Sequence, residues 1–121
     1  MNEAEFMDLV AEALDSVPEE FARYLENVEV VVEERPTPEQ RRDSGVRRGE
    51  LLLGLYEGVP LVERSLYDQA FPDRILLFRR PILSLCRTRG QVRREIRRTV
   101  LHELAHHFGI SDARLEELEA Y

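Results

Sequence analysis

The chain has no tryptophan, one cysteine and two methionines in 121 residues, and every one of its basic side chains is arginine. Each shortage removes a class of explanation. A single thiol, Cys86, can form no intramolecular disulfide, so the fold must rest on packing, with or without help from a metal, and a reducing compartment is expected. No apolar run approaches the roughly 18 residues that a membrane span requires, which argues against a transmembrane helix. The opening Met1-Asn2-Glu3-Ala4-Glu5 is acidic where a secretory signal would be basic, so a cytoplasmic location is the expectation. What remains is an ordinary globular composition, 43% hydrophobic and 34% charged. One domain over residues 1–121 is expected, burying roughly two thirds of its unfolded surface.

The formal charge of −7 is unevenly spread. Residues 1–34 carry eleven Asp or Glu against Arg23 alone, whereas residues 79–98 carry eight Arg against Glu95. The two segments should attract one another. An arginine-rich stretch such as Arg93-Arg94-Glu95-Ile96-Arg97-Arg98 is able to bind phosphate backbones, but the acidic total favours a solvated or ion-paired face, and no nucleic-acid partner is expected.

Apolar residues at spacings of three and four, Phe6, Leu9, Val10, Ala13 and Leu14, predict an amphipathic helix over Glu3 to Val17. Pro18 with Glu19 and Glu20 starts a short second helix that should end near Asn27. The β-branched density of Val28 to Glu34 predicts a strand. Arg35 to Glu50, with two prolines and two glycines, reads as a long mobile loop. Leu51 to Tyr56 and Arg74 to Arg79 are the next strands, with Pro60 to Asp73 irregular between them and Pro81 closing the last. Gly90 is expected to break the chain ahead of a helix from about Gln91 to Phe108. Gly109 then stops it, and Ser111 or Asp112 caps a final helix through Leu118. The order predicts an α+β fold, a small sheet of three or four strands backed by helices.

The long helix carries the chemistry. Residues 102 to 106 read His-Glu-Leu-Ala-His, in which two imidazoles one turn apart, differing in direction by only about 40°, can share one ion. All three histidines of the chain fall within one six-residue window, residues 102–107. The row Glu95, Thr99, His102 and His106 lies opposite the apolar row Val92, Ile96, Val100 and Leu104, so the two candidate ligands sit off the core stripe. A catalytic zinc needs three protein ligands and one open position, and a straight helix readily supplies two. Gly109, tolerant of the left-handed backbone conformation, can turn the chain and return Asp112 as the third ligand; otherwise Asp112 caps the terminal helix. Glu103 stands one step round from His102, placed to accept a proton from a zinc-bound water.

The run His102-Glu103-Leu104-Ala105-His106-His107-Phe108-Gly109-Ile110-Ser111-Asp112 resembles the Asp-zincins, whose third ligand is Asp rather than His. The segments Leu53 to Leu61, Pro72 to Ile75 and Arg97 to His102 resemble the minimal zincins, compact bacterial metallopeptidases. The likeness runs from Phe6 to the last residue. It implies a zincin-like α+β domain with the active-site helix beside a small sheet, one Zn²⁺ per chain on His102, His106 and Asp112, and Glu103 as general base. It further implies a peptide or protein substrate bound in extended form on the sheet's edge strand, for which Arg74 to Arg79 and Leu51 to Tyr56 are the candidates.

Two departures from larger zincins follow. The only methionines are Met1 and Met7, so no methionine turn is expected beneath the metal, and Tyr121 is the first candidate to pack there instead. The second half of the cleft is missing, which points to short peptides, to a homodimer, or to a zincin-fold metal- or protein-binding module without turnover. Stabilisation of the oxyanion falls to His107, Tyr56, Tyr67, Tyr121 or an arginine, and the sequence does not choose among them.

Overall fold

The computed structural model describes residues 1–58 and 72–119. Helix α1 spans Glu3–Asp15, with the Asn2 side chain capping it by accepting from the Glu5 amide. Its apolar face buries Phe6, Leu9, Val10 and Ala13. Helix α2 follows at Glu19–Leu25 behind Pro18 and contributes Phe21 to the core. Strand β1 is Val28–Glu33, β2 is Gly54–Glu57 and β3 is Asp73–Phe78. Among the described residues the sheet is three-stranded in the order β1-β3-β2, with β1 parallel and β2 antiparallel to β3.

Strand β3 is therefore central and, among the described residues, β2 is an edge. Of the two segments expected to receive an extended peptide, Arg74 to Arg79 is ruled out, because both sides of its backbone ladder are already paired. Its near-continuous apolar run, Ile75-Leu76-Leu77-Phe78, fully buried on both faces, is the composition of a strand with no solvent side.

Three loop expectations also change. Residues Pro38–Ser44 form a helix, α3, not a mobile loop: Thr37 and Gln40 make a reciprocal capping box, Pro38 opens the first turn and Gly45, at φ 77°, ends the last. The prolines and glycines that read as breakers sit at helix ends. Pro81 does not close β3 but occupies the first turn of a short helix, α4, Arg79–Ser84, where its missing N–H has no partner to lose. Gly90 likewise lies inside the first turn of the long helix α5, Arg89–Phe108, which Thr88 caps by accepting from the Gln91 amide. Helix α6, Asp112–Glu119, follows.

The main core lies where α1 and α5 pack on the sheet, with Phe6, Phe21, Ile75, Leu77, Ile96, Val100, Leu101 and Leu104 almost wholly removed from water. Each such side chain contributes about 1.5–3 kcal/mol by burial. A smaller cluster, Leu52, Leu76 and Phe78, covers the other face. The expected attraction between acidic and arginine-rich segments appears as Glu34 gripping Arg79 and Arg80, and Glu5 reaching Arg89. Among the described residues no helix is long and apolar enough to cross a membrane.

Candidate functional site

The site is built where α5 passes the edge strand. Contact there is close because residue 54 is glycine: a Cβ at this position would lie 2.5 Å from the Thr99 methyl and 3.0 Å from the Leu76 carbonyl oxygen. Thr99 is one of the few buried polar residues, so the row that carries the histidines leans against β2 at that point and opens toward solvent by His106. His102 and Glu103 are half-buried, and His106 and His107 are exposed. A cavity of about 390 Å³ runs along the seam, between Leu52, Leu53 and Gly54 on one wall and Glu95, His102 and Glu103 on the other.

Glu103 is fixed by the edge strand. Its Oε1 accepts the Tyr56 backbone N–H at 2.9 Å, and its Oε2 lies 3.9 Å from His106 Nδ1. The direction of that amide follows from the register. Phe78 N–H donates to the Leu53 carbonyl, so Leu53 and Phe78 are a hydrogen-bonded pair, and alternation turns the polar backbone groups of Gly54 and Tyr56 away from β3, toward α5. Burial holds the Glu103 carboxyl above the ordinary carboxylate range, opposed by the Tyr56 amide and by the neighbouring imidazoles of His106 and His102.

The tyrosine is itself anchored at three points. Its hydroxyl donates to Asp73 Oδ2 at 2.6 Å, its ring stacks on His107 with centroids 3.9 Å apart and planes 14° from parallel, and the Phe108 ring meets it edge-on. His107 is thus a stacking partner of Tyr56. The Tyr56 hydroxyl, one of the candidates for oxyanion stabilisation, is engaged by Asp73. Tyr67 and Tyr121 lie outside the described residues.

His102 and His106 face one another with ring centroids 6.3 Å apart and planes at 84°. A tetrahedral zinc with imidazole bonds of about 2.0–2.1 Å sets ring centres roughly 5 Å apart, so modest side-chain rotation closes the pair on an ion. Imidazole is a donor suited to zinc, and the His102–His106 pair fits. Asp112 is placed differently from its partners. Gly109, at φ 70°, terminates α5 in the left-handed conformation, and the Ile110 amide turns back to the Ala105 carbonyl. Ser111, not Asp112, caps α6, its hydroxyl accepting from the Arg114 amide, so Asp112 is free of the capping role and exposed at the first residue of the helix. Among the described residues no three His, Cys, Asp or Glu side chains stand close enough together to hold a metal.

Sequence reasoning named the histidines and Glu103 as candidates, and named neither the Tyr56 amide nor Asp73. A backbone N–H leaves no trace in residue types, and Asp73 is legible only once Tyr56 is known to lie opposite Ile75, two residues further along β3.

A solved structure similar to this chain is that of a conserved hypothetical protein from Thermo thermophilus, 29% identical over 89% of this chain and 94% of that one, with a TM-score of 0.57. No curated protein matches. The profile of the zincin-like metallopeptidases matches residues 25–121, which take in the whole sheet, the Glu103 anchor and both candidate imidazoles. With four-fifths of its length so matched and its longest helix laid along a sheet edge, the chain belongs to the zincin-like metallopeptidase family.

Proposed function

We propose that the protein is a zinc-dependent peptidase in which His102, His106 and Asp112 would hold the ion and Glu103 is the general base. Zinc in this setting supplies Lewis acidity, polarising a carbonyl and lowering the pKa of a water toward about 7. The chain's own residues do the rest. Glu103, half-buried and with its proton affinity raised by that burial, takes a proton from the attacking water at a carboxylate oxygen and delivers it to the leaving amine. The Tyr56 amide keeps the carboxylate in one orientation. The outward backbone of Gly54, on an edge strand, offers an extended peptide a hydrogen-bonding ledge parallel to the seam.

One observation supports this reading above the others: the Tyr56–Glu103 hydrogen bond, 47 residues apart in sequence, ties the proposed base to β2 beside a cavity that His102 and Gly54 also line. The test is digestion of a peptide library by zinc-loaded protein beside Glu103→Gln. Turnover should fall about 10²–10⁴-fold in the variant, whose amide oxygen still accepts the Tyr56 N–H. Equal turnover by both proteins would remove Glu103 from the mechanism.

A second reading, a zincin-fold metal- or protein-binding module without turnover, is favoured by the exposed Asp112 that joins no three-membered donor group among the described residues. It expects metal uptake with no cleavage of any library member.

A further inference from the structure

Glu95 lies in the same helical row as Thr99 and His102, seven residues ahead of His102 and so about 10 Å along α5. Its carboxylate lines the seam cavity and is half-buried, and no hydrogen bond or ion pair reaches it among the described residues. Its charge is felt in the connection ahead of α5: burial first and the negative Glu95 second hold the Cys86 thiol above its ordinary range. A half-buried carboxylate on a cleft wall, with no ion-pair partner among the described residues, can make a charge-assisted hydrogen bond to an incoming cation. The opposite wall is aliphatic, Leu52 buried and Leu53 half-buried. A cleft with an apolar wall and an anionic floor matches a long side chain whose methylenes pack and whose tip is charged. Arg98 also lines the cavity, but it is exposed and stays hydrated, so an acidic ligand there would gain only what a surface pair gives.

We propose that this end of the seam is a subsite for a basic side chain. The substrates are then extended peptides carrying Arg or Lys two to three residues from the bond to be cleaved, at about 3.3 Å per residue over the roughly 10 Å separation. Glu95 holds the cation, and Leu52 and Leu53 cover its stem. This rests on the peptidase reading for the position of the cleaved bond, but not for binding itself.

The experiment measures fluorescence anisotropy of labelled alanine-rich peptides carrying one arginine, norleucine or glutamate, titrated with zinc-loaded Glu103→Gln protein with and without Glu95→Gln. The arginine peptide should bind about tenfold tighter than the norleucine peptide, and Glu95→Gln should erase most of that difference. Glu95→Arg, checked for an unchanged melting temperature, should turn the preference toward glutamate. Equal binding of the three peptides, or an arginine preference that survives Glu95→Gln, would overturn the subsite. A library digest by the unmutated protein separates the two claims. Cleavage without basic preference removes the subsite and leaves the peptidase. An arginine preference that depends on Glu95, with no cleavage, supports the subsite and removes the peptidase.

Discussion

His107 shows how one residue type takes different work at adjacent positions. It follows a candidate ligand directly, yet the helix turns it about 100° away, onto the face of Tyr56. There it backs the strand whose amide holds Glu103. Replacing it by alanine should remove a stacked pair worth about 0.5–1.5 kcal/mol and leave metal content unchanged. Chemical denaturation together with zinc analysis checks this, and loss of metal in His107→Ala would place the residue among the ligands. The histidines and Glu103 were legible in the sequence because their geometry is local, fixed by helical spacing alone. Glu95 was legible only as a member of their row, since the aliphatic wall opposite it, Leu52 and Leu53, comes from a segment far earlier in the chain.

At the scale of elements, the site depends on how near β2 approaches α5. Gly54 sets that distance, and Gly54→Ala would press a methyl group into Thr99 and the Leu76 carbonyl. The strand must shift, at about 1–3 kcal/mol, and the Tyr56 amide moves with it. Thr99→Ser removes the methyl that is struck, so the double variant should recover part of the stability lost by Gly54→Ala; a thermal-melt double-mutant cycle reads the coupling, and strict additivity would contradict the contact. Element types were largely written in the sequence, whereas their neighbours were not. Helix α3 was hidden because Pro38 and Gly45 were weighed by composition instead of position, and Thr37 with Gln40 was the signal that would have found it. The central place of β3 was signalled by its unbroken apolar run, set against the glycine, tyrosine and glutamate of β2.

Across the whole molecule, the acidic first third and the arginine-rich segment are stitched together. Glu34 accepts from Arg79 at both carboxylate oxygens, 2.8 Å each, and from Arg80, while Arg79 also reaches the Met1 carbonyl. A larger cavity of about 500 Å³ has Glu12 and Asp15 facing Arg93, Arg94 and Arg97. Arg114 ties α6 to α2 through Glu20. The guanidinium of Arg79, then of Arg80, brings the Glu34 carboxyl down from 4.5 to about 2. Because the folded-state value is the lower one, this contribution to stability is complete above about pH 4.5 and is lost as pH falls toward 2. Glu34→Gln should flatten that acid limb of a melting-temperature profile and leave the neutral side parallel to the parent; an unchanged acid limb would show that the clamp adds nothing in solution.

Three side chains, two on α5 and one just past its glycine stop, are proposed to gather one zinc, and the peptidase reading depends on that ion. The most direct measurement is metal content by plasma emission spectrometry after zinc supplementation and desalting, for the parent protein, His102→Ala and Asp112→Ala. One zinc per chain is expected in the parent, with its loss in both variants. A parent protein that retains no zinc would contradict the proposal at the root, and full retention in Asp112→Ala would contradict the third ligand.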